Sequence, residues 1–190
     1  MGRLIFSGIT SLDGYINDDS GSFDWAMPDL EVHTHANEAE RTIGTHIYGR
    51  RLYETMVFWQ TAGTGPDDPP VEREYAELWR AADNVVVSTT LAEPLGERTR
   101  LLREFDPMLI QRLAEESDAD VVIGGADLGG QALRAGLVDE VQQYLFPVIV
   151  GGGTRFLPDL TPGEPRIDLE LVEQRRFESG VVFLRYLTRD

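Results

Sequence analysis

The stretch that decides the fold is Asp120-Val-Val-Ile-Gly-Gly-Ala-Asp-Leu-Gly-Gly-Gln-Ala-Leu133. A short apolar run at 121–123 stops at a glycine pair, and a helical pattern begins near Asp127. This pattern predicts a buried strand, a tight turn and the start of a helix. Backbone N–H groups and the positive helix end can bind an anion such as a pyrophosphate there. The same pattern also packs helices on sheets, so alone it leaves both explanations open.

Composition limits the class of protein. The 190 residues, 42% hydrophobic and 26% charged, fit one globular domain over 1–190. The sequence contains no apolar run long enough to span a membrane and no signal-peptide pattern, so we expect a cytoplasmic protein. The absence of cysteine excludes disulfides and thiolate chemistry. A formal net charge of -16 argues against nucleic acid or an anionic membrane as a partner.

Strands and helices alternate through the first two thirds of the chain. The predicted strands are 3–9, 45–48, 84–88, 121–123 and 141–150, and the predicted helices are 29–41, 50–58, 71–81, 106–116 and 128–135. Two more strands, 168–175 and 181–187, follow in succession. The order predicts an α/β fold with a mostly parallel central sheet flanked by helices and an antiparallel C-terminal strand pair. Pro147 inside a predicted strand indicates a bulge or an edge position.

Three predicted strands end in residues that suit a nucleotide. Residues 47–51 end in two arginines, 85–90 in three hydroxyl side chains, and 121–125 in the glycine pair. Ligands of open α/β sheets bind beyond the carboxyl ends of the strands, so these ends together predict a mononucleotide or dinucleotide site. Guanidinium groups suit phosphates in particular. The spacing differs from the G-x-G-x-x-G fingerprint of Rossmann domains.

These segments resemble a known family. SLDGYI (11–16), IYGRRLYETM (47–56), NVVVSTT (84–90), VVIGGADLGGQAL (121–133) and VGGGTRFLPDL (150–160) occur in the order and spacing of the dihydrofolate reductase-like superfamily. The chain is most similar to the C-terminal reductase domain of the bifunctional riboflavin deaminase-reductase. The resemblance implies NADPH as cofactor and a small-molecule substrate of pyrimidine or pterin type, as in 5-amino-6-(5-phosphoribosylamino)uracil reductase. It also implies a homodimer through the C-terminal strands.

The resemblance further implies which residues contact the cofactor. They are Ile9 and Thr10, whose backbone borders the nicotinamide; Gly49, Arg50 and Arg51 at the 2′-phosphate; Ser88 and Thr89 on the adenosine side; and Gly124, Gly125, Ala126, Asp127 and Leu128 at the pyrophosphate. By the same resemblance, Asp13 lies in the loop beside the nicotinamide, and Thr154 matches a threonine near the substrate.

The catalytic residues are defined less sharply. Dihydrofolate reductases hold the pterin with a carboxylate on the first helix, which matches the region 31–35 here; Glu31 is the nearest acid. Asp13 and Glu31 are therefore the candidates for proton delivery. Trp25 is a candidate to stack on a planar substrate, and Arg155 to hold its phosphate or carboxylate. Gly129 matches a tyrosine of the folate enzymes, which predicts a roomier pocket.

Several of these residues also have simpler explanations. Arg50 and Arg51 can pair with Glu54 on a solvated helix, and Asp13 can be a turn residue. Ser88 and Thr89 can merely end a strand, and 151–153 can be a bend. The three histidines, His33, His35 and His46, lack the spacing of a metal site, so we predict no metal. Two further functions remain open: a dihydrofolate reductase proper, and an inactive nucleotide-binding module.

Overall fold

The order of the strands determines where a ligand can bind. The computed structural model describes residues 2–65, 67–96, 98–161 and 163–189. Within these, the strands are β1 (Leu4–Ser11), β2 (Ile43–Gly49), β3 (Asp83–Val87), β4 (Thr99–Leu102), β5 (Asp120–Gly124), β6 (Glu140–Phe146), β7 (Leu169–Arg176) and β8 (Val182–Thr188). They form one eight-stranded sheet in the order β4-β3-β2-β5-β1-β6-β8-β7. Pairings from β4 to β6 are parallel, and β6–β8 and β8–β7 are antiparallel. This confirms the predicted fold class.

Helices cover both faces of the sheet. They are α1 (Leu30–Glu40), α2 (Arg50–Met56), α3 (Pro70–Ala81), α4 (Pro107–Glu115) and α5 (Ala126–Arg134), with short 3-10 helices at Asp24–Ala26 and Val57–Gln60. Asp29 caps α1, since its carboxylate accepts a hydrogen bond of 2.8 Å from the Val32 N–H. None of the described helices is long and apolar enough to cross a bilayer.

Two details of the sequence prediction are wrong. β6 ends at Phe146 instead of continuing to residue 150, so Pro147 follows the strand and causes neither a bulge nor an edge position. Because β6 lies between β1 and β8, a proline within it would remove a ladder hydrogen bond. The short edge strand β4 was not predicted; it alternates too briefly to give a pattern, and its pairing with β3 defines it.

The apolar core is continuous on one face and divided on the other. Leu4, Phe6, Ile47, Val121 and Ile123 face α4 and α5 and form one large cluster with them. On the opposite face, one cluster lies beneath α1 and one beneath α2. The first contains Val32, Tyr144, Phe146, Phe177, Val181 and Phe183, and the second Tyr48, Tyr53 and Val86.

A buried histidine joins α1 to the sheet. His35 is 8% exposed, and its Nδ1 lies 2.9 Å from the Tyr144 hydroxyl. Its ring meets Phe177 and Phe183 edge to face. Burial lowers the pKa of His35, and the nearby guanidinium of Arg175 adds to that effect. The imidazole is therefore held neutral within the core.

This histidine gives the stability a pH dependence of defined sign. Because the folded protein holds the pKa of His35 below that of the unfolded chain, the unfolded chain takes up the proton first as the pH falls. Stability contributed by neutral His35 is full above about pH 6.5 and declines below it.

We expect the urea concentration at the unfolding midpoint to decrease as the pH is lowered from about 7.5 to about 5.5. Measurements at closely spaced pH values trace that decrease. His35→Gln should remove this part of the dependence, whereas Tyr144→Phe, which keeps the histidine buried, should retain it. Identical pH profiles for His35→Gln and the unaltered protein would contradict the assignment.

Candidate active site

The three strand ends singled out in the sequence meet at one edge of the sheet. β3, β2 and β5 are neighbours, and Gly49 pairs with Val87 while Tyr48 pairs with Gly124. The pairs place the carboxyl ends of the three strands side by side. The arginines of α2, the hydroxyls after β3 and the glycine turn after β5 therefore surround one region, the place where open α/β sheets bind ligands.

The turn between β5 and α5 has the geometry of an anion site. Gly125 has a φ of 94°, which favours glycine, and it precedes α5 without a side-chain cap. The first helical bond runs from Gly129 N–H to the Gly125 carbonyl, 2.9 Å. The N–H groups of Ala126, Asp127 and Leu128 consequently have no acceptor within the helix. A pyrophosphate of NADPH fits such a turn, because free N–H groups and the helix dipole both favour an anion.

Gly124 and Gly129 are small for packing reasons. A Cβ on Gly124 would lie 2.6 Å from Leu52 Cδ2, so the absent side chain lets α2 approach β5. A Cβ on Gly129 would lie 2.0 Å from the Phe6 ring, which stacks on Phe156 at 4.3 Å. The prediction that Gly129 leaves a roomier pocket is therefore wrong, since an aromatic ring fills that space.

The two arginines of α2 differ in their contacts. Arg50 donates to Glu54 Oε1 at 2.7 Å and to the Thr90 hydroxyl at 2.9 Å, so it ties α2 to the turn after β3. Arg51 is exposed and forms no ion pair within the described part of the chain. Both arginines directly follow the carboxyl end of β2, at the edge of the sheet where ligands of such folds bind. The ion pair between Arg50 and Glu54 is the one predicted if these arginines belong to a solvated helix.

The turn after β3 is held by its own polar groups. The Ser88 hydroxyl accepts hydrogen bonds from the N–H groups of Thr90 (3.2 Å) and Leu91 (3.0 Å), while Thr89 is exposed. Arg103, which follows β4, donates to the Leu91 carbonyl at 2.6 Å. Arg103 was not among the predicted site residues, because the sequence pattern did not reveal β4. This arginine adds a third positive charge to the edge.

A cleft crosses the α1 face of the sheet. Ser7 and Ile9 of β1 and Val122 of β5 stay partly exposed although both strands lie inside the sheet. The cluster beneath α1 borders them on one side and the cluster beneath α2 on the other. Thr10 points to the opposite face, where its buried hydroxyl accepts from Gln143 Nε2 at 2.7 Å. Only the backbone of Thr10 can therefore face a ligand in this cleft.

A cavity of about 250 Å³ lies beyond the carboxyl end of β6. Its lining includes Trp25, Met27, Asp29 and Phe146. Trp25 Nε1 is buried and has no hydrogen-bond partner among the described residues. The Asp29 carboxylate accepts the Val32 N–H, which lowers the pKa of Asp29, so it is ionised at neutral pH. An indole ring and a carboxylate thus border one cavity, an arrangement that suits a planar heterocycle with hydrogen-bond donors.

Glu31 has a different contact. Its Oε1 accepts from Arg175 at 3.2 Å and its Oε2 from the Glu178 N–H at 3.0 Å. It therefore fastens the β7–β8 hairpin to α1. Asp29, two residues earlier, is the α1 carboxylate that borders the cavity beside Trp25. The sequence pointed to Glu31 as the acid nearest the matching region 31–35, and only the tertiary contacts show that Asp29 borders the cavity.

Asp13 and Thr154 connect the loops beside β1. The Asp13 carboxylate accepts from the N–H groups of Val150 (3.2 Å) and Gly151 (2.8 Å), and the Ser11 hydroxyl beside it, foremost, lowers the pKa of Asp13. Thr154 accepts from Ile16 N–H at 2.9 Å through its carbonyl. A carboxylate so fully hydrogen-bonded is a poor acid at neutral pH, so its contacts favour anchoring over proton delivery.

The glycine run at 151–153 serves close packing. A Cβ on Gly153 would lie 2.1 Å from the Asn17 carbonyl oxygen, and its φ is 117°. Arg155 follows, and its guanidinium lies 5.1 Å from the centre of the Tyr15 ring. Within the described residues, His, Asp and Glu side chains form no group of three or more that could hold a metal ion.

Residues 3–183 match the protein family described as the RibD C-terminal domain. The chain belongs to this family. This RibD C-terminal domain is 29% identical over 187 residues to the uncharacterized protein YyaP of Bacillus subtilis (strain 168), covering 97% of the chain and 94% of YyaP. It is 26% identical over 160 residues to the riboflavin biosynthesis protein RibD of Mycobacterium tuberculosis, covering 80% of the chain. That match spans 44% of RibD, less than half of its length.

Solved structures share the fold of this RibD C-terminal domain. A putative riboflavin biosynthesis protein from Shewanella sp. PV-4 has a TM-score of 0.75 at 21% identity, with 99% of both chains covered. A pyrimidine reductase-like protein from Corynebacterium diphtheriae has a TM-score of 0.68 at 16% identity, with 100% of this chain and 93% of that one covered. The family match confirms the resemblance read from the sequence, and these likenesses confirm the fold.

Proposed function

We propose that this protein is an NADPH-dependent reductase acting on a pyrimidine- or pterin-type substrate, similar to 5-amino-6-(5-phosphoribosylamino)uracil reductase. The observation that carries the proposal is the turn at Gly125, whose free N–H groups share one edge with Arg50 and Arg51. Membership of the RibD C-terminal domain family supports a reductase of this type. The Mycobacterium relative is named a riboflavin biosynthesis protein, and the Corynebacterium neighbour a pyrimidine reductase-like protein, which agrees with this proposal.

The chain would bind the cofactor along the carboxyl edge of β3, β2 and β5. NADPH, when bound, supplies a hydride to an electron-poor carbon. The backbone at Gly125 to Leu128 would hold the pyrophosphate, and Arg50 and Arg51 the 2′-phosphate. The backbone of Ile9 would border the nicotinamide and keep water from it. Because the whole chain carries a net charge of -16, these cations and backbone dipoles are needed to hold an anionic cofactor.

The cavity beside Asp29 would hold the substrate ring. Trp25 offers an aromatic ring that can stack on the substrate, and Asp29 an ionised carboxylate that can accept from an amino or imino group. The contacts of Asp13 and Glu31 with backbone and arginine also agree with an inactive nucleotide-binding module. NADPH binding without turnover of 5-amino-6-(5-phosphoribosylamino)uracil or dihydrofolate would favour that alternative.

Arg50 and Arg51 should determine how much more tightly NADPH binds than NADH. We expect Arg50→Ala/Arg51→Ala to bind NADPH about 10- to 100-fold more weakly, because hydrogen bonds between charged groups contribute about 1.5–3 kcal/mol. NADH, which lacks the 2′-phosphate, should bind the variant and the unaltered protein equally. Fluorescence titration with both cofactors measures this, with Arg112→Ala on the exposed surface of α4 as the matched control. An unchanged cofactor preference would disprove the assigned phosphate site, and no binding of either cofactor to the unaltered protein would disprove the reductase.

Asp29 should affect the substrate and leave the cofactor unaffected. Asparagine also caps helices well, so Asp29→Asn keeps α1 intact while removing the charge. We expect kcat/KM for 5-amino-6-(5-phosphoribosylamino)uracil to fall about 10- to 100-fold, the loss of one charged hydrogen bond. NADPH affinity should not change. Glu31→Gln is the matched control on the same helix. A larger loss of kcat/KM in that variant would identify Glu31, instead of Asp29, as the carboxylate that binds the substrate.

We also propose that the C-terminal strands form a homodimer. β7 is an edge strand, and Leu169, Leu171 and Val172 are 37%, 46% and 39% exposed on it. An exposed apolar edge invites pairing with a second chain. Sedimentation analysis should show a dimer for the unaltered protein and a monomer for Leu171→Lys, since a buried unpaired charge opposes association. A monomeric unaltered protein would exclude this interface.

A further inference from the structure

One stripe of α1 carries polar side chains that the proposed function has not used. Asp29, His33 and Asn37 are spaced four residues apart, which places them on one side of the helix. Asp29, at one end, borders the substrate cavity. Asn37, at the other end, is fully buried against α3. His33 lies between them and is only partly buried.

The Asn37 amide has a fixed orientation. Its Nδ2 donates to the Val71 carbonyl at 2.9 Å and to Glu74 Oε2 at 3.0 Å. Both partners are acceptors only, so the NH₂ group must face α3 and the amide oxygen must face α1. Glu74 is itself paired with Arg41, which keeps the carboxylate ionised and lowers the pKa of Glu74.

This orientation fixes the tautomer of His33. Its Nδ1 lies 3.1 Å from Asn37 Oδ1. Because an amide oxygen only accepts, Nδ1 must carry a hydrogen in both the neutral and the charged ring. Proton exchange is thereby confined to Nε2. That atom makes no hydrogen bond to the residues that the structure describes.

Aromatic neighbours hold the ring in place. Trp59 meets it edge to face at 6.2 Å and Tyr75 at 5.7 Å. Trp59 belongs to the 3-10 helix that follows α2, and Tyr75 belongs to α3. The His33 N–H donates to the Asp29 carbonyl at 2.9 Å, so the ring lies one helical turn from the residue that borders the cavity. Burial raises the pKa of Tyr75 well above its ordinary value, so Tyr75 adds no charge beside the imidazole. A ring held by a hydrogen bond and two aromatic side chains, with one free nitrogen, is prepared for proton transfer.

We propose that His33 is the proton donor of this reductase, with Asn37 and Glu74 as positioning residues; the proposal rests on the proposed function. When hydride adds to the carbon of a carbon–nitrogen double bond, the π electrons move to nitrogen. That nitrogen takes the proton from Nε2 of the His33 imidazolium. The ring is left neutral with its hydrogen on Nδ1, and solvent returns the proton to Nε2. Glu74 and Tyr75 of α3 are the titratable groups that the contacts place beside this ring, and Arg41 is paired with Glu74.

The tautomer can be measured without any substrate. Long-range ¹H–¹⁵N correlation spectra of ¹⁵N-histidine-labelled protein distinguish the two neutral forms. We expect His33 to have its hydrogen on Nδ1, and Asn37→Ala to give a mixture of both tautomers. His33→Gln identifies the resonance by its disappearance. A neutral His33 with its hydrogen on Nε2 would overturn the proposal, whatever the activity.

Activity then tests the proton transfer itself. With NADPH and 5-amino-6-(5-phosphoribosylamino)uracil, we expect His33→Gln to lower kcat about 100-fold, the usual size of general acid catalysis. The kcat of the variant should also no longer decrease at alkaline pH, and its affinity for NADPH should equal that of the unaltered protein. Thr34→Ala, an exposed neighbour on α1, is the matched control and should behave as the unaltered protein.

The outcomes separate the two proposals. A His33→Gln variant with unchanged kcat and pH profile overturns the role of His33 while the reductase stands. An unaltered protein that neither binds NADPH nor oxidises it overturns the reductase and this proposal together. NADPH binding without turnover of that uracil contradicts the substrate assignment, and the tautomer measurement then decides on His33.

Discussion

The contact between His35 and Tyr144 holds α1 on the sheet, and the site depends on where that helix lies. The 2.9 Å hydrogen bond joins the helix to β6, and burial keeps the imidazole neutral at that position. Asn37 holds the same helix against α3. Because α1 is fixed over β6 and β8, it covers only part of its face of the sheet. Ile9 and Val122 remain partly exposed beside it, and the cleft is the result.

The distribution of charge follows from the same geometry. The chain is acidic overall, with 33 Asp and Glu against 17 Lys and Arg. Arg50, Arg51 and Arg103 nevertheless gather at the carboxyl edge of β2, β3 and β4, beside the uncapped start of α5. Carboxylates near the site are held by specific donors: Asp13 by backbone N–H groups and Glu31 by Arg175 and a backbone N–H. This leaves a positive edge for a phosphate and one carboxylate, Asp29, facing the cavity.

Much of this could be predicted from the sequence, and the failures have physical reasons. Strand–helix alternation and the glycine turn gave the fold class, because local periodicity carries that information. The predicted strand β6 ran past Pro147, because apolar residues continue there after the strand pairing has ended. The predicted open space at Gly129 of α5 is filled by Phe6 of β1. Glu31 was the predicted substrate carboxylate, because only the tertiary contacts of the β7–β8 hairpin show that Arg175 already holds it. Long-range packing decided each of these cases, and no local pattern records it.

The loops beside β1 carry a positive charge that comes from a distant part of the chain. Tyr15 follows the Asp13-Gly14 turn after β1. The Arg155 guanidinium lies 5.1 Å from the centre of the Tyr15 ring, brought there by the pairing of the two residues in an antiparallel bridge. A positive charge therefore lies beside this loop, and it comes from the segment after β6. Gly153 permits the approach, since any Cβ there would meet the Asn17 carbonyl oxygen at 2.1 Å. A planar guanidinium binds phosphates and carboxylates through two parallel hydrogen bonds, whereas an ammonium acts as a point charge. The bridge between Tyr15 and Arg155 thus fixes a planar donor beside the first loop, and long-range pairing, which no local sequence pattern records, puts it there.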